Sequence, residues 1–174
     1  MKHLVKFIVV TLLLFTCTNA QAEQKIAFLD MKFVLNNSKA GKGAQDFLKK
    51  TFKENQDKFA KKEKELKSKE TDLLTKRTIL NKEDYKKEAS KLREEVIKFQ
   101  TERRTSLEKI AKLRTNARSK LIEKLDPIVK KYISENNISM VLDNKTVVMG
   151  DESYNITNEI VKLLNKEVPS ISLK

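Results

Sequence analysis

Along the middle of the chain, apolar side chains return at every seventh position. Phe52, Phe59, Leu66, Leu73 and Leu80 form one such row; Tyr85, Leu92, Phe99 and Leu113 form another, with Ser106 as its fourth member. A second row in the later half, Ala89, Val96, Ile110 and Ala117, lies four residues further on and is broken by Arg103. Seven residues are close to two helical turns, so each row falls on one helix face and makes a thin seam of the coiled-coil kind. From Ala44 to Asp126, 83 residues, there is neither Gly nor Pro, whereas Gly41 and Gly43 stand just before and Pro127 just after. The pattern predicts a helical rod over 44–126 with breakers at its ends.

A single helix of that length would reach about 125 Å, which so thin a seam aligns poorly without a partner. A hairpin supplies the partner from within the chain. The predicted bend is 81–84, because Asn81 is a good N-cap and Glu83 and Asp84 then sit in a first helical turn, where acids suit the helix dipole. Folding there opposes Leu80 to Tyr85, Leu73 to Leu92, Leu66 to Phe99, Phe59 to Ser106 and Phe52 to Leu113. The two rows therefore stay in phase along arms of about 55–60 Å.

The flanks read differently. Lys25 to Asp30 is expected to hold a short strand and Met31 to Asn37 a helical turn or two, while 138–142 and 146–149 look like a β-hairpin around Asp143-Asn144-Lys145. Thr157 is expected to cap a last helix carrying Ile160, Val161, Leu163 and Leu164, with Ile156 and Val161 as a hydrophobic staple. The expected fold is thus mainly α with a small β body (α+β): a long antiparallel coiled-coil-like hairpin, 44–126, inserted into a body made of 23–43 and 127–174. That body has only 69 residues, near the size at which a core supplies no more than about 3–5 kcal/mol. Its open strand edges and small core lead us to expect a homo-oligomer joined through the body, with Ile26, Phe28, Ile138 and Val141 as the expected contacts.

Charge adds to this picture. The 83-residue segment carries 25 basic and 16 acidic residues against 25 apolar ones, too many charges for a buried helix. Nine of its acids have a Lys four residues later within the segment, from Asp46/Lys50 to Glu108/Lys112, an order that supports an exposed helix by about 0.2–0.5 kcal/mol per pair. At the start of the chain, Lys2 and Lys6 precede an apolar run from Phe7 to Phe15 broken only by Thr11, and Ala20-Gln21-Ala22 follows. This is the pattern of a secretory signal peptide, 1–22, cleaved after Ala22. The run is far short of the roughly 20 apolar residues that span a bilayer, and Leu14-Phe15-Thr16-Cys17 lacks the small residues of a lipidation signal. The remaining 152 residues would carry 35 basic and 24 acidic side chains, since only Lys2 and Lys6 leave.

The whole chain has one His (His3) and one Cys (Cys17), both within that leader. Beyond it, imidazole and thiolate chemistry are excluded, so no triad and no zinc site of the usual ligands is expected. Gly41-Lys42-Gly43 lacks the spacing and the hydroxyl residue of a phosphate loop and reads as a turn into a helix. We expect no enzyme, no metal and no cofactor. What remains is an excess of nine positive charges on a rod whose apolar residues are incompletely covered, a surface for polyanions and for greasy unfolded chain.

Five segments together resemble the Skp/OmpH family of periplasmic chaperones: Lys25-Ile-Ala-Phe-Leu-Asp30, Ser38-Lys-Ala-Gly-Lys42, Leu80-Asn-Lys-Glu-Asp-Tyr85, Ile138-Ser-Met-Val-Leu-Asp143 and Tyr154-Asn-Ile-Thr-Asn-Glu-Ile160. The resemblance implies a homotrimer in the periplasm whose helical arms enclose a cavity, holding unfolded outer-membrane β-barrel proteins without ATP. It carries no catalytic residues and no compact client motif. From position and chemistry the expected client contacts are Lys76, Arg77, Ile79, Leu80, Tyr85 and Lys86 at the hairpin tip. No lipopolysaccharide-binding pattern is matched, so contact with lipopolysaccharide or anionic lipid stays open. Two other readings compete: an envelope scaffold with the arms as spacers, and a basic polyanion-binding protein. Nucleic acid is disfavoured, because export removes the chain from DNA and its bases are interspersed with acids.

Overall fold

The computed structural model describes residues 25–173, so the expected leader and its cleavage point lie outside the described residues. Strand β1, Lys25–Leu29, runs into Asp30, whose carboxylate accepts the Phe33 N–H at 2.7 Å and starts helix α1, Met31–Asn37. A single residue, Ser38, then separates α1 from the long helix α2, Lys39–Thr75. Its buried hydroxyl accepts the Gly41 N–H at 3.1 Å, which satisfies one of the free donors of the new helix. The glycine pair therefore lies inside the first turns of α2 rather than in a turn before it. Gly41 is needed there because the corner brings the Leu35 carbonyl so close that a Cβ would overlap its oxygen, whereas Gly43 faces open space.

A short 3₁₀ turn, Lys76–Thr78, ends α2, and helix α3, Lys82–Glu135, returns antiparallel to it. Asn81 caps α3 as the sequence predicts, accepting the Asp84 N–H at 2.9 Å with Glu83 and Asp84 in the first turn. By length, α2 spans about 55 Å and α3 about 80 Å.

Pro127 does not end the rod. A proline inside a helix costs about 3 kcal/mol, but Leu121, Leu125 and Ile128 around it are all buried in the body, and such side chains gain about 1.5–3 kcal/mol each. The helix therefore continues for eight residues beyond it, to Glu135. It stops at Asn136, after which Asn137 takes a left-handed φ of 52°, a conformation that asparagine tolerates better than most residues.

That turn releases strand β2, Ile138–Asp143, which pairs parallel with β1 in the register Ile26 to Met140 and Phe28 to Leu142. The expected hairpin of 138–142 with 146–149 is thus corrected. The Asp143 carboxylate accepts the Lys145 N–H at 2.9 Å and its carbonyl accepts the Thr146 hydroxyl at 2.7 Å, which curls 144–146 into a 3₁₀ turn and turns the chain away. The ladder partner comes from β1 instead. After a second short turn, helix α4, Thr157–Glu167, closes the body. Thr157 is not its cap: its N–H donates to Asn155 Oδ1 at 3.1 Å, and its own hydroxyl accepts the Asp30 N–H at 2.9 Å. Ile156 is buried and Val161 partly so, in one core with Ala27, Leu29, Val34, Leu125, Ile160 and Leu164. The roots of both arms join this core through Ala40 and Leu121.

Gly41→Ala should lower stability by about 2–3 kcal/mol through overpacking at the corner. Gly43→Ala, placed in open space on the same helix, should raise it by about 0.5–1 kcal/mol. Denaturant unfolding of the two variants checks both signs.

Candidate functional site

The two seven-residue rows meet between α2 and α3, but only part of the seam is closed. Phe59, Leu66 and Phe99 are buried, with Leu92 and Val96 against them. The rings of Phe59 and Phe99 meet edge to face, centroids 6.0 Å apart at 65°, and the Lys58 ammonium lies 5.7 Å from the Phe59 centroid. Toward the body, where Ser106 and Arg103 interrupt the apolar rows, Phe52 is 43% exposed and a small groove opens between Phe52, Phe59, Arg103 and Ile110. A broader open groove of about 880 Å³ also borders the same aromatic pair. Phe59 and Phe99 line it, and the rest of its lining is charge-balanced, five lysines against Glu54, Asp57, Glu65, Glu95 and Glu102.

Two ion pairs cross the seam: Lys69 to Glu95 at 2.6 Å and Lys76 to Glu88 at 3.4 Å. None of the nine acid-to-lysine pairs expected along the helices is closed among the described residues. Such pairs stay well hydrated, and the gain on closing them is small against the side-chain entropy lost. The cross-arm pairs lie over the apolar seam with side chains about half exposed. The hydrogen bond from Lys69 is the main reason the Glu95 carboxyl is held below its ordinary value, with the Lys69 and Lys62 charges adding to it against a smaller desolvation effect. Elsewhere the Ser153 N–H, and after it the Ser153 side chain, lower Asp151, and burial followed by the nearby Glu159 charge raises Tyr132.

The structure divides the six residues expected at the tip. Ile79 is 80% exposed, and Arg77 and Lys86 are also exposed. Leu80 and Tyr85 are half-buried at the closed end of the seam, and Lys76 is tied to Glu88. Further exposed apolar residues run down the arms, among them Leu74, Ile97, Leu107 and Phe47. Sequence reasoning missed these because they lie off the seven-residue rows, yet an apolar residue on a charged helix outside its seam is itself the signal.

The residues expected at the body contact are also divided. Phe28 and Ile138 are buried within the chain, Phe28 beside Gly150, and Val141 packs partly into the core. Ile26 is exposed, beside its ladder partner Met140 and with Leu142 further along the same face. Near this face Val148 is 100% and Met149 91% exposed.

A last apolar contact lies at the root of the arms. Leu173, in the extended segment after α4, is buried against Ala44 of α2 and Ala117 of α3, with Ile171 packed beside them. The Lys120 ammonium donates to the Ser172 carbonyl at 2.9 Å. Seating Leu173 gains about 2–3 kcal/mol and the hydrogen bond about 1. The alternation Ile171-Ser172-Leu173 after Pro169 was the signal of this seat in the sequence.

Among the described residues no group of His, Cys, Asp or Glu is placed to hold a metal, and no helix is long and apolar enough to cross a membrane. The family model for OmpH-like outer membrane proteins matches residues 25–164. The chain belongs to the OmpH-like family. Over 166 residues it is 25% identical to a Skp-like protein of Pseudomonas aeruginosa, covering 95% of this chain and 99% of that one. The fold of this OmpH-like chain is similar to a crystal structure from Caulobacter crescentus described as an OmpH-like outer membrane chaperone. The TM-score is 0.82 at 16% identity, over 89% of this chain and 92% of the other.

In this OmpH-like chain the Glu95 side chain should titrate below the ordinary carboxylate range, and Lys69→Met should return it there. Because its folded value is depressed, the contribution of the pair to arm stability should be complete above the ordinary value and lost as pH falls through the lowered one. Carboxyl carbon NMR across that range checks the assignment.

Proposed function

We propose that this OmpH-like chain is an ATP-independent holdase chaperone of the periplasm, which captures unfolded outer-membrane β-barrel proteins between its arms. The observation that carries the reading is apolar exposure outside the seam: side chains such as Ile79, Leu74 and Ile97 stand exposed on helices that are otherwise densely charged. An isolated helix gains nothing from leaving such groups in water, whereas a holdase needs contacts of this kind, shallow and spread along an arm. Many weak contacts raise total affinity through effective concentration and still let go one at a time. The positive excess of the arms attracts acidic segments and raises encounter rates, an effect that salt weakens. Family membership and the likeness to a structure described as an outer membrane chaperone support the same reading.

The working unit in this proposal is a homotrimer joined through the body. Among the described residues the two-stranded sheet leaves one edge of β2 without a partner, and Ile26, Met140 and Leu142 expose an apolar face beside it. Pairing between copies would cover both. Three hairpins around one axis would then enclose a space with basic walls.

Purified protein mixed with a barrel protein diluted from urea should slow its aggregation at least several-fold, measured by light scattering. A double variant Leu74→Ser, Ile79→Ser should lose much of that protection while keeping its helical circular dichroism. Aggregation at the rate of the client alone would reject the holdase, and a solution mass near one or two chains at micromolar concentration would reject the trimer.

A further inference from the structure

The extended segment after α4 is a bound peptide in all but its covalent link. It makes no ladder and no helix, places Ile171 and Leu173 on one side, and presents the Ser172 carbonyl to Lys120 at 2.9 Å. Its seat is made by one small residue from each arm, Ala44 and Ala117, which leaves a depression where a larger side chain can lie. The polar tie is to a backbone carbonyl, which every residue possesses, so the seat asks of its occupant only an extended backbone with apolar side chains two positions apart. That is the pattern of a strand from a transmembrane β-barrel, apolar on one face and polar on the other.

We infer that the root groove of the arms is a docking site for extended client segments with apolar residues at alternate positions, and that the chain's own tail occupies it until such a segment displaces it. This rests on the holdase reading and names one place and one sequence pattern within it. The small number of groups that hold the seat is what makes exchange workable. The tail holds the groove through one leucine, part of one isoleucine and one ammonium, so a client segment offering the same groups competes on equal terms once its neighbours are held elsewhere on the arms. The family match ends at residue 164, so the tail lies beyond the segment by which the chain is assigned to its family.

The test uses a chain with Cys17→Ser and Ser172→Cys carrying a nitroxide at residue 172, whose side chain is exposed. The probe is a fluorescent twelve-residue peptide in which Ile or Leu alternates with Ser or Asp. At saturation the nitroxide spectrum should change from immobile to mobile. Truncation after Val168, and separately Leu173→Ser in case truncation disturbs the fold, should tighten peptide binding by about 3–10-fold. A nitroxide that stays immobile at saturation, peptide affinity that is unchanged or weaker in both variants, or no peptide binding at all overturns the inference. An intact chain that protects a urea-diluted barrel protein while the nitroxide stays immobile removes this inference and leaves the holdase reading standing. Failure of the intact, truncated and Leu173→Ser forms alike to protect removes both.

Discussion

The arms depend on how little apolar surface joins them. Three buried side chains, Phe59, Leu66 and Phe99, hold the middle of a hairpin whose longer helix extends for about 80 Å. Such a seam could not align two charged helices unaided, so their direction is set at the base. There Ala40 of α2 and Leu121, Leu125 and Ile128 of α3 enter the same core as β1, α1 and α4. The corner at Ser38 and Gly41 fixes the start of one arm, and the passage of α3 through Pro127 carries the other into the body without a joint. Arms and body are therefore continuous helices sharing a core at one end and loosely paired at the other.

This arrangement gives the surface its character. The apolar groups that a client would touch lie off the seam, so pairing the arms does not cover them. The two cross-arm ion pairs keep the register at small energetic cost, because they act between side chains still in contact with water. A hairpin aligned by charge at its edges and by aromatic rings at its middle can hold its pairing while exposing Leu74, Ile79 and Ile97 to the outside.

Much of the hairpin was legible because its signals are local and repeat. Asn81 with two following acids marks a cap whatever lies around it, and two rows of equal period must meet in phase once the bend is known. The failures share a different cause. Pro127 reads as a breaker until Leu125 and Ile128 are seen to be buried, and Val147 reads as strand until Asp143 is seen to tie the chain into a turn. Phe28 was expected on a surface between copies because nothing in its own strand reveals the Gly150 segment that covers it. At the candidate site Ile79 was expected as a client contact from its place near the bend, and the structure shows it exposed there. The seat of Leu173 was missed, because its partners Ala44 and Ala117 are distant in sequence and unremarkable in type.

The parallel pairing of β1 with β2 also bears on the order of events during folding. Lys25 meets Ile138 across more than a hundred intervening residues, and a parallel ladder cannot form by a local turn. The first strand must wait, unpaired, until the whole helical excursion has been made and has brought the chain back, which carries a large loop-closure entropy. Helix zipping is quick by comparison. The arms are thus the early product and the sheet the late one, so a chain whose excursion is incomplete has no finished platform on which a second copy could settle.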